Sequence, residues 1–249
     1  QDTLRTHAVN LETLVAERTA KLRETTGELE AFSYSVSHDM RSPLRAMNGY
    51  SDALLEEYGA ALDDAGRDYL QRIKRAASRM DLLIQDVLAY SRVAQGDVPL
   101  MPVDLNTVIQ DVIQHYPSLQ SNRARITIQP NLPLVIGHEA YLTQAVSNIL
   151  TNGVKFVAPG AFPAIAVTAQ SEDGHVRLYF KDNGIGIAPE HRSRIFQIFG
   201  RVYSEKQYEA TGIGLAAAKK AAERMGGAIG VESELGRGSC FFLTLKAAT

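Results

Sequence analysis

The sequence predicts two joined parts: an antiparallel helical hairpin that forms a dimeric four-helix bundle, and then an α/β sandwich. Residues 1–92 carry apolar positions at alternating spacings of three and four, a Gly/Pro-containing break follows, and residues 103–249 mix helical and strand-like periods. We therefore divide the chain into a coiled-coil helix (1–29), a helical domain (30–95), a linker (96–102) and an α/β domain (103–249).

The first helix is predicted from a long apolar seam. A seam of about five heptads exceeds the usual globular helix and is typical of a coiled coil, although one face of an ordinary amphipathic helix is the alternative. The seam comprises Leu4, Ala8, Leu11, Val15, Arg18, Leu22, Thr25, Leu29, Phe32 and Val36.

The second helix is predicted after a turn near Tyr58–Ala60, with Asp63 or Asp64 as its N-cap. Pro43, within the first helix, should bend or loosen it because proline lacks a backbone donor. The predicted seam of the second helix comprises Leu62, Tyr69, Ile73, Ala76, Met80, Leu83, Val87 and Tyr90. A lone hairpin leaves apolar surface uncovered, so we expect pairing with a second copy.

Composition bounds the function. The 249 residues are 45% hydrophobic and carry a formal net charge of -2, from 26 basic and 28 acidic side chains. That balance gives no reason to expect a nucleic-acid or membrane-surface partner. Cys240, the only cysteine, lies in a predicted buried strand, and no run approaches the roughly 18 apolar residues of a spanning helix. We expect a cytoplasmic protein without a membrane segment.

The α/β domain is predicted from its alternating periods. Helical stretches are expected at 105–116, 138–155, 189–198 and 214–225, and strands at 125–129, 164–170, 175–182, 228–233 and 239–245. We expect the helices to cover one face of the sheet.

The run Ser37–Leu44 is the most informative motif of the helical part. It contains His38, then Asp39, and Pro43 five residues after the histidine. A neutral imidazole is a good nucleophile toward phosphorus, and a neighbouring carboxylate can hold its other ring nitrogen protonated. A helical His beside an Asp is also a common surface pair, but the Pro43 context on a dimer-forming helix favours catalysis.

A second motif lies on the predicted helix 138–155. Asn148 and Asn152 are four apart and share one face, with Lys155 close by. Amide oxygens suit Mg²⁺, and an ammonium group offsets phosphate charge. An ordinary polar helix face is the alternative.

Two glycine-rich turns follow. Asp182 ends a predicted strand and precedes Gly184 and Gly186, while Thr211–Leu215 opens a helix whose free N–H groups can bind phosphate oxygens. Glycine turns after strands also serve simply to reverse the chain.

These motifs, in this order, resemble the boxes of sensor histidine kinases. Ser37–Leu44 is similar to the phosphoacceptor box, and the preceding Phe32–Val36 is similar to the form in phytochrome-like and other soluble sensor kinases. The runs at Asn148–Phe156, Asp182–Ile187 and Arg194–Arg201 resemble the asparagine, first glycine and phenylalanine boxes. Thr211–Leu215 and Gly236–Ser239 resemble the remaining glycine boxes.

The resemblance, over residues 30–249, implies a dimerisation and histidine phosphotransfer domain followed by a catalytic ATP-binding domain of the type found in DNA gyrase. It implies that ATP phosphorylates His38 and that the group passes to an aspartate on a response-regulator receiver, with a sensor domain upstream. Implied catalytic residues are His38, Asp39 and Ser42. Implied nucleotide contacts are Asn148, Asn152, Lys155, Phe156, Asp182, Gly184, Gly186, Thr211, Gly212, Gly214 and Leu215, with Asn152 holding Mg²⁺ and Asp182 accepting from the adenine amino group.

Two residues depart from that family pattern. Gly153 stands where the family usually has Ala, and Ala210 stands where it has a lid Gly. Both departures fall in the nucleotide part, which keeps open a receiver-directed phosphatase that uses Ser42 and has weak kinase activity. A non-enzymatic dimeric scaffold is another alternative, and an ATPase without histidine transfer is a weaker one because Thr151 occupies the region where such enzymes commonly place a Glu base.

Overall fold

The computed structural model describes residues 2–94, 99–200, 202 and 210–248. Within helices, the side chains of residues 2–13 and of several later positions, including His38, lie outside this description. The chain divides into two compact units, Gln1–Ser91 and Arg92–Thr249, and each is considered by itself.

The first unit is the expected hairpin. Helix α1 spans Asp2–Tyr58 and helix α2 spans Asp64–Ala94. Pro43 does not end α1, so the loosening expected there leaves the helical assignment intact. Asp63 caps α2, since its Oδ1 accepts a hydrogen bond of 2.7 Å from the N–H of Gly66. The helix over residues 2–36 is as predicted, whereas the coiled coil remains a prediction.

The seam that joins α1 to α2 differs from the predicted one. Its buried residues recur at heptad-like spacings and are Ser37, Leu44 and Ser51 of α1 with Ala77, Ile84 and Leu88 of α2. Five members of the predicted α2 seam are exposed in the single chain, namely Tyr69, Ile73, Ala76, Met80 and Val87. The predicted α2 stripe is therefore largely uncovered within the single hairpin, and its burial against a second copy stays a prediction.

The second unit is an α/β sandwich. Its strands are β1 (Met101–Asp104), β2 (Arg125–Ile128), β3 (Leu134–Gly137), β4 (Ala164–Glu172), β5 (His175–Asp182), β6 (Ala228–Ser233) and β7 (Ser239–Ala247). Its helices are α3 (Leu105–His115), α4 (Glu139–Lys155) and α5 (Gly214–Arg224), with 3-10 turns at Pro117–Leu119, Pro189–His191 and Arg194–Phe196. The sheet runs β1-β3-β7-β5-β4-β2, and β6 pairs with β7.

Three predictions for this unit need correction. Strands β1 and β3 were missed: each has only four residues, β1 begins in the Pro-containing run assigned to the linker, and β3 directly follows Pro133. Met101 and Pro102, placed in the linker by the sequence, are the first residues of β1. The helix expected at 189–198 is two short 3-10 turns.

The core lies between the helices and one face of the sheet. In β5 the buried residues alternate with more exposed ones, and Val176, Leu178 and Phe180 point to the core. On the opposite face, the guanidinium of Arg177 lies 5.2 Å from the centre of the Phe242 ring. Over the described part of the chain, no helix has both the length and the apolar character needed to cross a membrane.

Gly153 has a packing reason to be glycine. A Cβ built at this buried α4 position would lie 2.8 Å from Cδ1 of Ile165, a buried residue of β4. Alanine would improve helix propensity by about 0.8–1 kcal/mol but would require Ile165 to move. The departure from alanine at this position therefore makes room for a larger neighbour on the sheet.

We predict that Gly153→Ala and Ile165→Val are coupled. In the parent, Gly153→Ala should give little gain or a loss of stability, because Ile165 must shift. In an Ile165→Val background, which lacks Cδ1, the same change should raise the free energy of unfolding by about 0.5–1 kcal/mol. Denaturant titration of the parent, both single variants and the double variant measures the coupling, and equal effects of Gly153→Ala in both backgrounds would contradict it.

Candidate functional site

The phosphoacceptor motif lies within α1, in the first unit. His38 directly follows Ser37, which is buried against the hairpin seam at 6% exposure, and Asp39 is exposed. Ser42 is also exposed on this helix. The backbone thus places positions 38 and 42 one turn apart, on one side of a helix whose neighbouring seam is packed.

Helix α4 connects the two ends of the second candidate site. At one end, a Cβ built on Gly214, the first residue of α5, would lie 2.8 Å from Oδ1 of Asn148. At the other end, a Cβ built on Gly153 would lie 3.5 Å from Cβ of Asp182. One helix therefore carries Asn148 beside the start of α5 and, five residues later, approaches the carboxylate at the end of β5.

Asp182 is held by backbone donors. Its Oδ1 accepts hydrogen bonds from the N–H of Gly184 at 2.8 Å and from the N–H of Ser239 at 3.0 Å. Burial raises the pKa of the Asp182 carboxyl, and these two N–H groups partly offset that effect. The carboxylate is thereby fixed in orientation by one oxygen, which leaves the other oxygen as an acceptor for a ligand.

The turn after Asp182 is anchored to α4. The N–H of Ile185 donates to the carbonyl of Phe156, the C-cap residue of α4, at 2.9 Å. Gly186 has a φ of 71°, and a Cβ there would lie 2.0 Å from the carbonyl oxygen of Glu234. Only glycine fits this backbone conformation and this close approach.

The start of α5 lies beside the Asn148 amide. Its N-cap residue, Ile213, makes no side-chain capping hydrogen bond, and Gly214 packs directly on the Asn148 amide. Nδ2 of Asn148 is buried and has no hydrogen-bond partner among the described residues. A buried unpaired donor costs free energy, so a phosphate oxygen at this helix N-terminus would satisfy Asn148 as well as the helix.

Two serines that the sequence did not single out support the Asp182 turn. Ser233 Oγ lies 2.8 Å from Ser239 Oγ and donates to the carbonyl of Gly238 at 2.8 Å. It also accepts from the N–H of Ile187 at 2.8 Å. Ser239 is the last residue of the last glycine box but was given no role of its own, whereas Ser233 ends an ordinary strand and gives no sequence signal.

The structure groups the predicted nucleotide residues around α4, the turn after β5 and the start of α5. Asn152 is half-buried, Lys155 is exposed, and Phe156 caps α4. Gly212 joins the phenylalanine box to the Thr211–Leu215 box, since its carbonyl accepts from the N–H of Phe199 at 2.9 Å. The remaining predicted contacts are Thr211, which precedes Gly212, and Leu215, which follows Gly214. Both are half-buried. Arg201, at the end of the phenylalanine box, lies outside the described residues.

The chain matches two family models. Residues 28–96 match the His Kinase A (phospho-acceptor) domain. Residues 137–249 match the histidine kinase-, DNA gyrase B-, and HSP90-like ATPase. The first match contains His38 and the second contains every predicted nucleotide contact.

Curated relatives align over most of this chain. Cyanobacterial phytochrome B of Nostoc sp. is 34% identical and aligns with 93% of the chain, which covers 31% of that protein. The sensor histidine kinase AruS of Pseudomonas aeruginosa is 33% identical, with 94% of the chain and 25% of the relative covered. The chain thus spans about a third or less of the length of these relatives.

Solved structures show the same relationship. Full-length ShkA, in complex with AMPPNP, is 29% identical with a TM-score of 0.63 and covers 88% of this chain, which corresponds to 46% of that protein. The mycobacterial sensor histidine kinase MprB is 29% identical with a TM-score of 0.50, covering 59% of this chain and 97% of that one.

A phospho-acceptor helix and an ATP-binding site occur in one chain, and the relatives match both parts in sequence. The chain therefore belongs to the sensor histidine kinase family, as a transmitter core in which a phospho-acceptor domain precedes an ATPase domain.

Proposed function

We propose that this chain autophosphorylates His38 from ATP and passes the phosphoryl group to an aspartate of a response-regulator receiver. The observation that carries the proposal is that two features share one site: a backbone-held carboxylate at Asp182, and an Asn148 donor that has no partner among the described residues, beside a start of α5 without a side-chain cap there. One end of this site suits a nucleobase and the other suits phosphates. We propose the division of the chain at 29/30 and 95/96, with the ATP-binding domain beginning at β1 and so including Met101 and Pro102.

Each half of the nucleotide has its own residues. Asp182 accepts from the adenine amino group, and Gly184 and Gly186 let the backbone approach the base. The phosphates are bound at the start of α5, whose positive end offsets their charge. They face Asn148, the N–H groups of Gly214 and Leu215, and the Thr211–Gly212 turn. Lys155 and Phe156 complete the site at the end of α4.

Mg²⁺ is the expected cofactor, and the donor set fits it. Asn152 offers an amide oxygen on the same helix as Asn148, and Mg²⁺ prefers hard oxygen ligands shared between protein, phosphate and water. When bound, the ion neutralises charge on the phosphates. Asn152 would hold the ion, and the other residues of the site would orient the nucleotide.

The phosphoryl group passes from ATP to His38 by an in-line displacement at the γ-phosphorus. The bond between the γ-phosphorus and its bridging oxygen breaks, a P–N bond to the His38 imidazole forms, and ADP leaves with the electron pair of that oxygen. The attacking nitrogen must be neutral, so the ring proton resides on the other nitrogen, and Asp39 stabilises the positive charge that develops there. Ser42, exposed one turn later, would position water if the core also dephosphorylates a receiver.

A homodimer is the expected assembly. Apolar side chains of α1 recur on an exposed stripe at Val36, Met40, Met47, Tyr50 and Leu54. The exposed stripe of α2 described above has the same spacing. Two such stripes on one hairpin match the surface that a four-helix bundle buries. We further propose a sensor domain upstream, because the chain spans only part of its relatives.

We predict that His38→Gln abolishes labelling by γ-labelled ATP while ATP binding stays within about twofold of the parent, since the two sites lie in different units. The label on the parent should be acid-labile and base-stable, as a phosphoramidate is. His175→Gln, an exposed histidine at the start of β5, is the matched control and should label normally. Acid-stable label, or label that survives His38→Gln, would refute the assignment.

We predict that Asp182→Asn weakens adenine nucleotide binding by about tenfold or more, with or without Mg²⁺, because a charged acceptor of the adenine amino group is lost. Asn can retain the acceptor for Gly184 and Ser239, so the fold should persist. Asp173→Asn, the same change in the exposed turn between β4 and β5, is the control. Calorimetric titrations in which both variants bind like the parent would contradict the assignment.

The same variant has a predicted pH signature. A carboxyl whose pKa is raised by folding favours the native state below its unfolded value of 3.8, and this contribution is lost as pH rises through the folded pKa. Asp182→Asn should therefore have a Tm equal to or above that of the parent at neutral pH, with the difference disappearing in acid. A variant that is less stable than the parent at neutral pH and gains on acidification would show the opposite sign.

We predict that the parent is a dimer by light scattering at micromolar concentration. Ile73→Glu places a charge on the exposed α2 stripe and should weaken dimerisation by at least tenfold, because the charge would be buried in the bundle. Ser78→Glu, an exposed position on the other side of α2, should leave the dimer intact. A monomeric parent, or equal effects of both changes, would contradict this interface.

A further inference from the structure

The seam between α1 and α2 becomes polar beside the phosphoacceptor. Ser37 and Leu44 are buried at heptad spacing, and Arg41 lies between them, facing α2. Nε of Arg41 lies 3.4 Å from Oδ1 of Asp81, and the two side chains are 35% and 31% exposed. A charged pair therefore occupies a seam level where an apolar pair would pack, one turn after His38.

The ion pair with Asp81 does not satisfy the Nε donor of Arg41. Nε of Arg41 is buried and has no hydrogen-bond partner among the described residues, so its contact with Asp81 is an ion pair without hydrogen-bond geometry. Asp81 has a second partner, because its Oδ2 accepts from the amide of Gln85 at 2.6 Å. Losing Arg41 would leave Asp81 half-exposed and still hydrogen-bonded, whereas Arg41 has an unmet donor in the present arrangement.

The helix supplies a candidate for that donor. Positions 38 and 41 are three residues apart in one helix, so their Cβ atoms lie about 5–6 Å apart. A phosphoryl group on His38 brings close to two negative charges and three acceptor oxygens, which a guanidinium recognises well. A single carboxylate in poor geometry is the weaker partner.

We infer that Arg41 is a positioning residue that changes partner: Asp81 holds it in the unmodified protein, and the phosphoryl group on His38 draws it away from α2. The inference rests on the proposed phosphorylation of His38. The exchange loosens the α1–α2 seam at the level of Arg41 and Asp81. One heptad further along α1, Asn48 Oδ1 is a second buried atom without a described partner. Phosphorylation of His38 thereby changes the packing of α1 against α2.

The test is a double-mutant cycle of Arg41→Gln and Asp81→Asn, with Tm measured before and after labelling His38. Potassium phosphoramidate introduces the label, because its P–N bond breaks, ammonia leaves and a P–N bond to the imidazole forms without ATP. The label is followed as an acid-labile phosphorus signal, and His38→Gln treated in the same way corrects for the other histidines. Failure of autophosphorylation thus leaves this experiment interpretable.

In unmodified protein, each single variant should lower the Tm of the helical unit by about 2–4 °C. The double variant should lower the Tm by no more than either single variant does. After labelling, Asp81→Asn should no longer lower Tm, whereas Arg41→Gln should. The control pair is Lys74–Asp52, which also joins α1 to α2, at 2.5 Å, far from position 38. The effect of Asp52→Asn should not change on labelling.

A coupling between Arg41 and Asp81 that is the same in both states would overturn the inference. So would its absence in unmodified protein, or equal changes at the control pair. Failure of position 38 to accept the label would also count against it, because the proposed exchange requires an accessible imidazole. A purely structural ion pair would give a cycle that does not depend on the label.

Discussion

The hydrogen bonds from Gly184 and Ser239 to one oxygen of Asp182 hold together the turn on which the proposed nucleotide site depends. They join the end of β5 to the start of β7 and fix a half-buried carboxylate that would otherwise be costly to orient. The Ser233 hydroxyl supports the same turn from β6. The ends of β5 and β7 thus meet at one acceptor, the end of β6 supports the neighbouring turns, and α4 carries Asn148 toward α5.

Much of this arrangement could be predicted from the sequence, because the relevant residues lie in helices and strands long enough to show a period or in glycine-containing turns. Asn148 and Asn152 share a helix face by spacing alone, and Asp182 follows a strand with clear alternation. The sequence could not reveal Ser233, whose role depends on a neighbour brought beside it by strand pairing. It also could not reveal why residue 153 is glycine, since Ile165 contacts it from a distant strand.

The hairpin shows a different limit. Apolar spacing predicts that a stripe will be buried but not which helix will cover it. The conspicuous stripe of α2 at Ile73 and Met80 is exposed in the single chain, while the intramolecular seam contains Ser37, Arg41 and Ser51. The weaker seam within the hairpin and the stronger stripe outside it are consistent with a helical unit whose internal contacts can rearrange while the proposed dimer stays assembled.

The ends of the sheet have a consequence for that dimer. Strands β1 and β2 end the main strand path, each is four residues long, and Pro102 removes a backbone donor from β1. A bundle that tethers two ATPase domains would hold them at an effective concentration near the millimolar range. Long, flat, unpaired strands at that concentration would join the two sheets edge to edge. The four-residue edges, of which β1 carries Pro102, disfavour such pairing, so in the proposed dimer each ATPase domain would remain free to meet a phosphoacceptor helix.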